Sequence, residues 1–149
     1  MKLKKMKSIK FLYITFISII LFANSSNAQN FFDEAKKKYE EKNYEESKFL
    51  FQRNIVYNPK DAKSYLYLAK IYKKEENKSE EEKNINTTLL LEPRNEEAMF
   101  ILIDIEIKRS NFSKAKELKT NFEKICSSLC EEISSIDNRL KEFEKKDAS

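Results

Sequence analysis

Cys126 and Cys130, four positions apart, are the two cysteines of the chain and its only side chains whose type and spacing offer covalent or redox chemistry. The chain has no histidine, which removes Ser-His-Asp and Cys-His arrangements, and no glycine, which removes the phosphate-cradling loop and the dinucleotide fingerprint. Two thiols without histidine supply half of a tetrahedral shell, so no metal and no cofactor are expected. Paired carboxylates remain in Glu45 and Glu46, Glu80 to Glu82, and Glu131 and Glu132. Acid–base work needs such groups in a cleft that shifts their pKa, whereas these stand at helix starts, where acids complement the helix dipole. They read as solvated faces. No catalytic residue is assigned, and the expectation is a protein that is not an enzyme and has no small-molecule substrate.

The first 28 residues hold Lys2, Lys4, Lys5, Lys7 and Lys10 and no acid, then an apolar run from Phe11 to Ala23 and a polar stretch ending Ser26, Asn27, Ala28. This is the layout of a secretory signal peptide, with small residues at the cleavage positions, so residues 1–28 are expected to be removed after Ala28 and the protein exported to the periplasm or beyond. The 13-residue run is shorter than the ~20 residues of a spanning helix. An uncleaved membrane anchor is the alternative. Removing the segment takes away five lysines: 29 minus 5 leaves 24 Lys and Arg against 25 Asp and Glu, a charge near −1. The pI of 8.9 therefore belongs to the leader. What remains interleaves Lys70, Lys73 and Lys74 with Glu75 and Glu76, which gives no basic face for nucleic acid.

In an exported chain the cysteine pair is most simply a structural disulfide. If the backbone turns between them, their Cα atoms come within the ~4.4–6.8 Å that the bond requires. Closing so short a loop stabilises by only about 2 kcal/mol, so its task would be to fix the angle of the last helix. The alternative is a small thiol-redox accessory protein, since Cys130 would lie in the first turn of a helix, where the dipole lowers a thiol pKa. The spacing is not the CxxC of thioredoxin-like enzymes.

The elements that would position these residues follow a period. Asn43, Asn77 and Asn111 stand 34 residues apart, and Pro59 and Pro93 repeat at the same interval. Further columns share the phase: Ala35, Ala69 and Ile103; Phe31, Tyr65 and Met99; Tyr57, Leu91 and Ile125. Self-similarity at 34 residues points to stacked helical hairpins. Each proline must end the preceding helix, because the residue before it is pushed from the helical region and proline itself has no donor. Asp61 and Asn95 then stand as N-caps of the next helices. The three asparagines fall in the turns inside the hairpins and are expected to carry the left-handed backbone there. Ser79 with Glu82, and Ser128 with Glu131, read as capping boxes that start two later helices. Ile133, Ile136, Leu140 and Phe143 form one apolar stripe on a final helix suited to cover the end of a stack.

The pattern resembles the tetratricopeptide repeat. Residues 62–93 carry the fullest copy, with Tyr65, Leu68, Ala69 and Tyr72 at family places on the first helix and Ile85, Leu89 and Pro93 following. The first copy keeps Ala35, Tyr44, Ser47, Phe51 and Pro59; the third keeps Leu102, Phe112 and Ala115. The resemblance implies an all-α solenoid of about three helical hairpins, residues 29–143, with repeats at about 29–61, 62–95 and 96–127, a capping helix at about 129–143, and a frayed tail at 144–149. It also favours the structural reading of the cysteines, because some exported proteins of this family end in a similar Cys and Glu-Glu segment.

In such a stack the first helix of each hairpin lines the concave side. The resemblance places Phe32, Lys36 and Tyr39, then Lys63, Leu66, Tyr67 and Lys70, then Phe100, Ile101, Asp104 and Ile107 there. An aromatic and aliphatic floor edged by lysines suits a peptide or helix of a partner protein, and the implied role is an adaptor in envelope assembly. A second copy of the chain is the alternative occupant. Family members that grip carboxylate-terminal tails carry Asn, Lys and Arg where this chain has Tyr67, Glu97 and Ile101, so that clamp is not expected.

Overall fold

A computed structural model describes the backbone of residues 27–147 and the side chains of residues 31–142. The proposed leader lies almost wholly outside the described residues. Seven helices follow one another within them: α1 (Asn27–Glu40), α2 (Tyr44–Tyr57), α3 (Ala62–Lys74), α4 (Lys78–Leu91), α5 (Glu96–Lys108), α6 (Phe112–Ile125) and α7 (Glu132–Asp147). No strand occurs among the described residues. Helices α1 and α2, α3 and α4, and α5 and α6 form hairpins; α2 packs on α3 and α4 on α5, and α7 lies against both α5 and α6. The described chain is an all-α solenoid, and none of its helices is long and apolar enough to cross a membrane.

The turns inside the hairpins share one backbone conformation, and they differ from expectation by one residue. The left-handed residues are Lys42, Glu76 and Ser110, with φ of 62°, 58° and 58°. Each asparagine follows one of them. Asn43 N–H donates to Lys38 O at 2.9 Å and Lys42 N–H to Tyr39 O at 3.0 Å, a pair of bonds that closes α1 by satisfying its last carbonyls. The same pair recurs from Asn77 and Glu76 to Tyr72 and Lys73, and from Asn111 and Ser110 to Glu106 and Ile107. The asparagine is needed one step later, as the N-cap of the following helix. Asn43 Oδ1 accepts from Glu46 N–H at 3.4 Å and Asn77 Oδ1 from Glu80 N–H at 3.2 Å, while the Asn111 amide turns to Glu106 Oε2 at 2.8 Å. The cap must have negative φ, so the left-handed conformation falls on its neighbour.

Asn77 thereby starts α4 at Lys78, and the Ser79–Glu82 capping box does not form. Between hairpins, Asn58 and Glu92 take extended φ of −126° and −129° ahead of Pro59 and Pro93, as the following ring requires. Asn95 caps α5 through Ala98 N–H at 2.9 Å. Asp61 holds the cap position of α3 but directs its carboxylate elsewhere, accepting from Ser64 Oγ at 2.6 Å and Asn54 Nδ2 at 2.7 Å.

The column Ala35, Ala69 and Ile103 is fully buried along the stack. Small polar groups tie the helices where they approach closely: Ser47 Oγ donates to Ala35 O at 2.8 Å and Thr88 Oγ1 to Ala62 O at 3.4 Å. Phe51 anchors one apolar cluster with Leu50, Leu68 and Ile71. A larger one runs from Leu66 and Ile85 through α5 and α6 to Ile136 and Leu140 of α7. Burying side chains of this size stabilises by roughly 1.5–3 kcal/mol each. Ile136 and Leu140 of α7 are therefore core, with Ile133 packed against them; the helix runs from Glu132 to Asp147, past Glu144.

Candidate functional site

Across α1, α3 and α5 lies a groove of about 1120 Å³. Its floor is Phe32, Leu66, Tyr67, Phe100 and Leu129, and Lys36, Lys63, Lys70 and Arg94 stand among its charged lining with Glu92, Glu96 and Glu97. Pro93, Asn95 and Ser128 complete it. The helical period brings these residues together: Phe32 and Lys36 are one turn apart on α1, and Lys63, Leu66, Tyr67 and Lys70 share one stripe of α3.

Seven of the eleven residues assigned from the sequence line the groove: Phe32, Lys36, Lys63, Leu66, Tyr67, Lys70 and Phe100. Four do not. Tyr39 packs edge-on against Tyr44 at 5.5 Å and Tyr67 at 5.1 Å, closing the aromatic cluster behind the groove. Ile101 and Ile107 are 9% and 0% exposed. Asp104 is engaged by Lys108 at 2.8 Å, by Lys73 at 3.5 Å and by Arg139 of α7. Burial works to raise its carboxyl pKa, but the Lys108 hydrogen bond and the Arg139 and Lys73 charges outweigh that and hold it low. Asp104 is taken up by α7 through Arg139, and Ile101 and Ile107 belong to the buried cluster that runs through α5 and α6 to α7.

On its α1–α3 side the floor is built into a cluster of packed rings. Tyr67 stacks on Phe51 with ring centroids 4.9 Å apart, and Phe32 meets both rings edge-on at 5.7 and 6.0 Å. Burial pushes the Tyr67 phenol up, so it remains neutral. Since Tyr67 belongs to the same ring cluster as the core, removing it would disturb folding together with the groove. Lys70 sits 4.9 Å from the Tyr67 ring centroid and pairs with Glu97.

At the opposite end, Glu96 fastens the segment between α6 and α7. Its Oε1 accepts from Ser127 N–H at 2.9 Å and Ser127 Oγ at 2.6 Å; its Oε2 accepts from Ser128 N–H at 3.0 Å, Ser128 Oγ at 3.1 Å and Leu129 N–H at 3.0 Å. The Ser127 hydroxyl and backbone donors, with those of Ser128 and Leu129, hold its carboxyl down to about 2. The same short loop is closed by the Cys126–Cys130 bridge, with Cα atoms 5.3 Å apart. Ser128 donates its hydroxyl to Glu96, and α7 begins only at Glu132, so Ser128 does not stand at the cap position and the Ser128–Glu131 capping box does not start the helix. Nothing local in the sequence signals this contact, which joins residues more than 30 positions apart. Glu97 was legible, because it stands 34 residues after Lys63 in the same repeat column.

No family model matches the chain, and no curated protein sequence matches it. Solved structures do. The Yersinia enterocolitica type III secretion translocator chaperone SycD superposes with a TM-score of 0.72 at 12% identity, covering 89% of this chain and 94% of that one. The TPR2B domain of yeast Sti1, in its complex with pHsp70, gives 0.69 at 17% identity over 77% and 96%. The first TPR of Spaghetti (RPAP3), bound to an HSP90 peptide, gives 0.68 at 15% over 85% and 97%. The fold is that of a tetratricopeptide-repeat domain.

Within that fold, Tyr67 is packed in a ring cluster, Glu97 is paired with Lys70, and Ile101 is buried. These positions offer no cationic grip for a terminal carboxylate. Among the described residues no group of His, Cys, Asp or Glu is arranged to hold a metal ion.

Proposed function

We propose that this chain is a non-enzymatic interaction module that holds a segment of a partner protein in the groove across α1, α3 and α5. The observation that carries this reading is the groove itself, an apolar floor on a rigid scaffold with charged side chains at its margin. Solved neighbours support it: RPAP3 is bound to an HSP90 peptide, and SycD is also known in complex with a peptide of the translocator YopD. We further propose that the module works after export, in the periplasm or beyond, in assembly of the cell envelope. The leader-like residues 1–28 and a cysteine pair at bonding distance support that location.

A photo-reactive residue placed at Lys63 in the groove, and in parallel at Val56 on the exposed outer side of α2, tests the reading in intact cells. Capture of the same protein from Lys63 and not from Val56 is expected. Capture from Val56 alone would move the binding face to the convex side. Export is checked by N-terminal sequencing of the protein from fractionated cells, which should begin at Gln29 in the exported fraction.

A further inference from the structure

We infer that the partner segment is acidic, with carboxylates flanking a large apolar anchor. This rests on the groove reading above and goes further by naming the partner's chemistry. The groove's own charges decide it. Each acid that lines the groove is already engaged: Glu96 by the donors of residues 127–129, Glu97 by Lys70, and Glu92 by the Asn95 amide at 3.0 Å.

The cations are not matched in the same way. Among the described residues Lys63 and Arg94 have no hydrogen-bond or ion-pair partner, and both are exposed. Lys36 reaches only Glu40, at 3.8 Å on an open helix face. Lys63 lies in the first turn of α3 and Arg94 just before α5, so both stand where helix N-termini add positive potential. Leu66, Tyr67 and Phe100 lie in the same groove. An incoming carboxylate meets two unpaired cations, whereas an incoming cation meets acids that already have partners. Complementarity of this kind selects partner and orientation.

The test uses three synthetic ten-residue peptides, acetylated and amidated, that share Leu and Phe anchors and differ in carrying Glu/Asp, Gln/Asn or Lys between them. Each is titrated into the purified oxidised protein by fluorescence anisotropy and followed by NMR. The acidic peptide should bind roughly tenfold more tightly than the neutral one, and lose that margin between about 50 and about 300 mM salt. It should shift the amides around Lys63, Leu66 and Arg94. Lys63→Glu with Arg94→Glu should weaken it by roughly tenfold while Lys124→Glu, outside the groove, leaves it unchanged. The variants lose no native ion pair, and thermal unfolding should show each still folded, with only the small shifts expected of charge changes near helix ends. Equal binding of acidic and neutral peptides, preference for the Lys peptide, indifference to the double charge reversal, or no binding of any peptide overturns the inference. Crosslinking from Lys63 judges the groove reading separately, and a captured segment without acids would overturn the inference while leaving that reading intact.

Discussion

Glycine placed at Lys42, Glu76 and Ser110 should stabilise this protein, and the size of the gain follows from its turns. All three residues hold φ near +60° at the end of a helix, with the neighbouring N–H groups closing the last turn. All three are exposed, and none of their side chains has a hydrogen-bond or ion-pair partner among the described residues. The left-handed region costs an L-residue roughly 1–2 kcal/mol. Glycine removes that penalty but widens the unfolded ensemble by roughly 0.5–1 kcal/mol, which leaves a net gain of about 0.5–1 kcal/mol per site. The sites stand one repeat apart and share no partner, so the triple variant should gain about 1.5–3 kcal/mol. For a domain of this size that raises the midpoint by roughly 10 °C. Circular dichroism melts and urea titration of Lys42→Gly, Glu76→Gly, Ser110→Gly and the triple variant measure it. Lys42→Ala is the control and should be near neutral, because alanine carries the same left-handed penalty. Unchanged or lowered stability in the triple variant would refute the claim that these turns hold strained residues.

Glu96 gives a pH signature. Its carboxyl titrates near 2 in the fold against 4.5 for the free group. A depressed folded pKa means that the stabilisation is fully present above about pH 4.5 and is lost as pH falls toward 2. The difference in melting temperature between wild type and Glu96→Gln should therefore shrink across that window, and a difference independent of pH would exclude the carboxylate as the fastening group. Replacing Cys126 and Cys130 together by serine should cost about 2 kcal/mol in the chain-entropy model, with amide exchange rising first in α7; faster exchange in α1 and α2 instead would contradict the local role. Phe122→Ala, which opens a fully buried site between α5 and α6, should cost roughly 3–5 kcal/mol by urea unfolding, and a loss below 1 kcal/mol would show that the third hairpin is loosely packed.

The groove was partly legible from the chain. Phe32, Lys36, Lys63, Leu66, Tyr67, Lys70 and Phe100 follow from helical spacing laid on the repeat, because a helix surface is a local property. Tyr39, Ile101, Asp104 and Ile107 fit the same template equally well. They differ because aromatic packing takes up Tyr39, Arg139 of α7 takes up Asp104, and Ile101 and Ile107 turn into the core. The capping boxes at Ser79 and Ser128 failed for a related reason: each serine satisfied a local pattern, but a stronger arrangement was already in place. Asn77 had started α4, and α7 begins only at Glu132, in a segment that Glu96 fastens from across the third hairpin.

By itself the sequence determined what repeats: the 34-residue period, the prolines that end the second helix of the first two hairpins, the asparagine beside each turn and the apolar stripe of the last helix. These are local consequences of backbone stereochemistry and helical pitch, written within a few residues of where they act. The tertiary structure alone decided which inner surfaces stay open, where the terminal helix rests and which charges are left without partners. Those outcomes depend on side chains of different helices, far apart in the sequence, meeting through space, and no short stretch of chain encodes such a meeting.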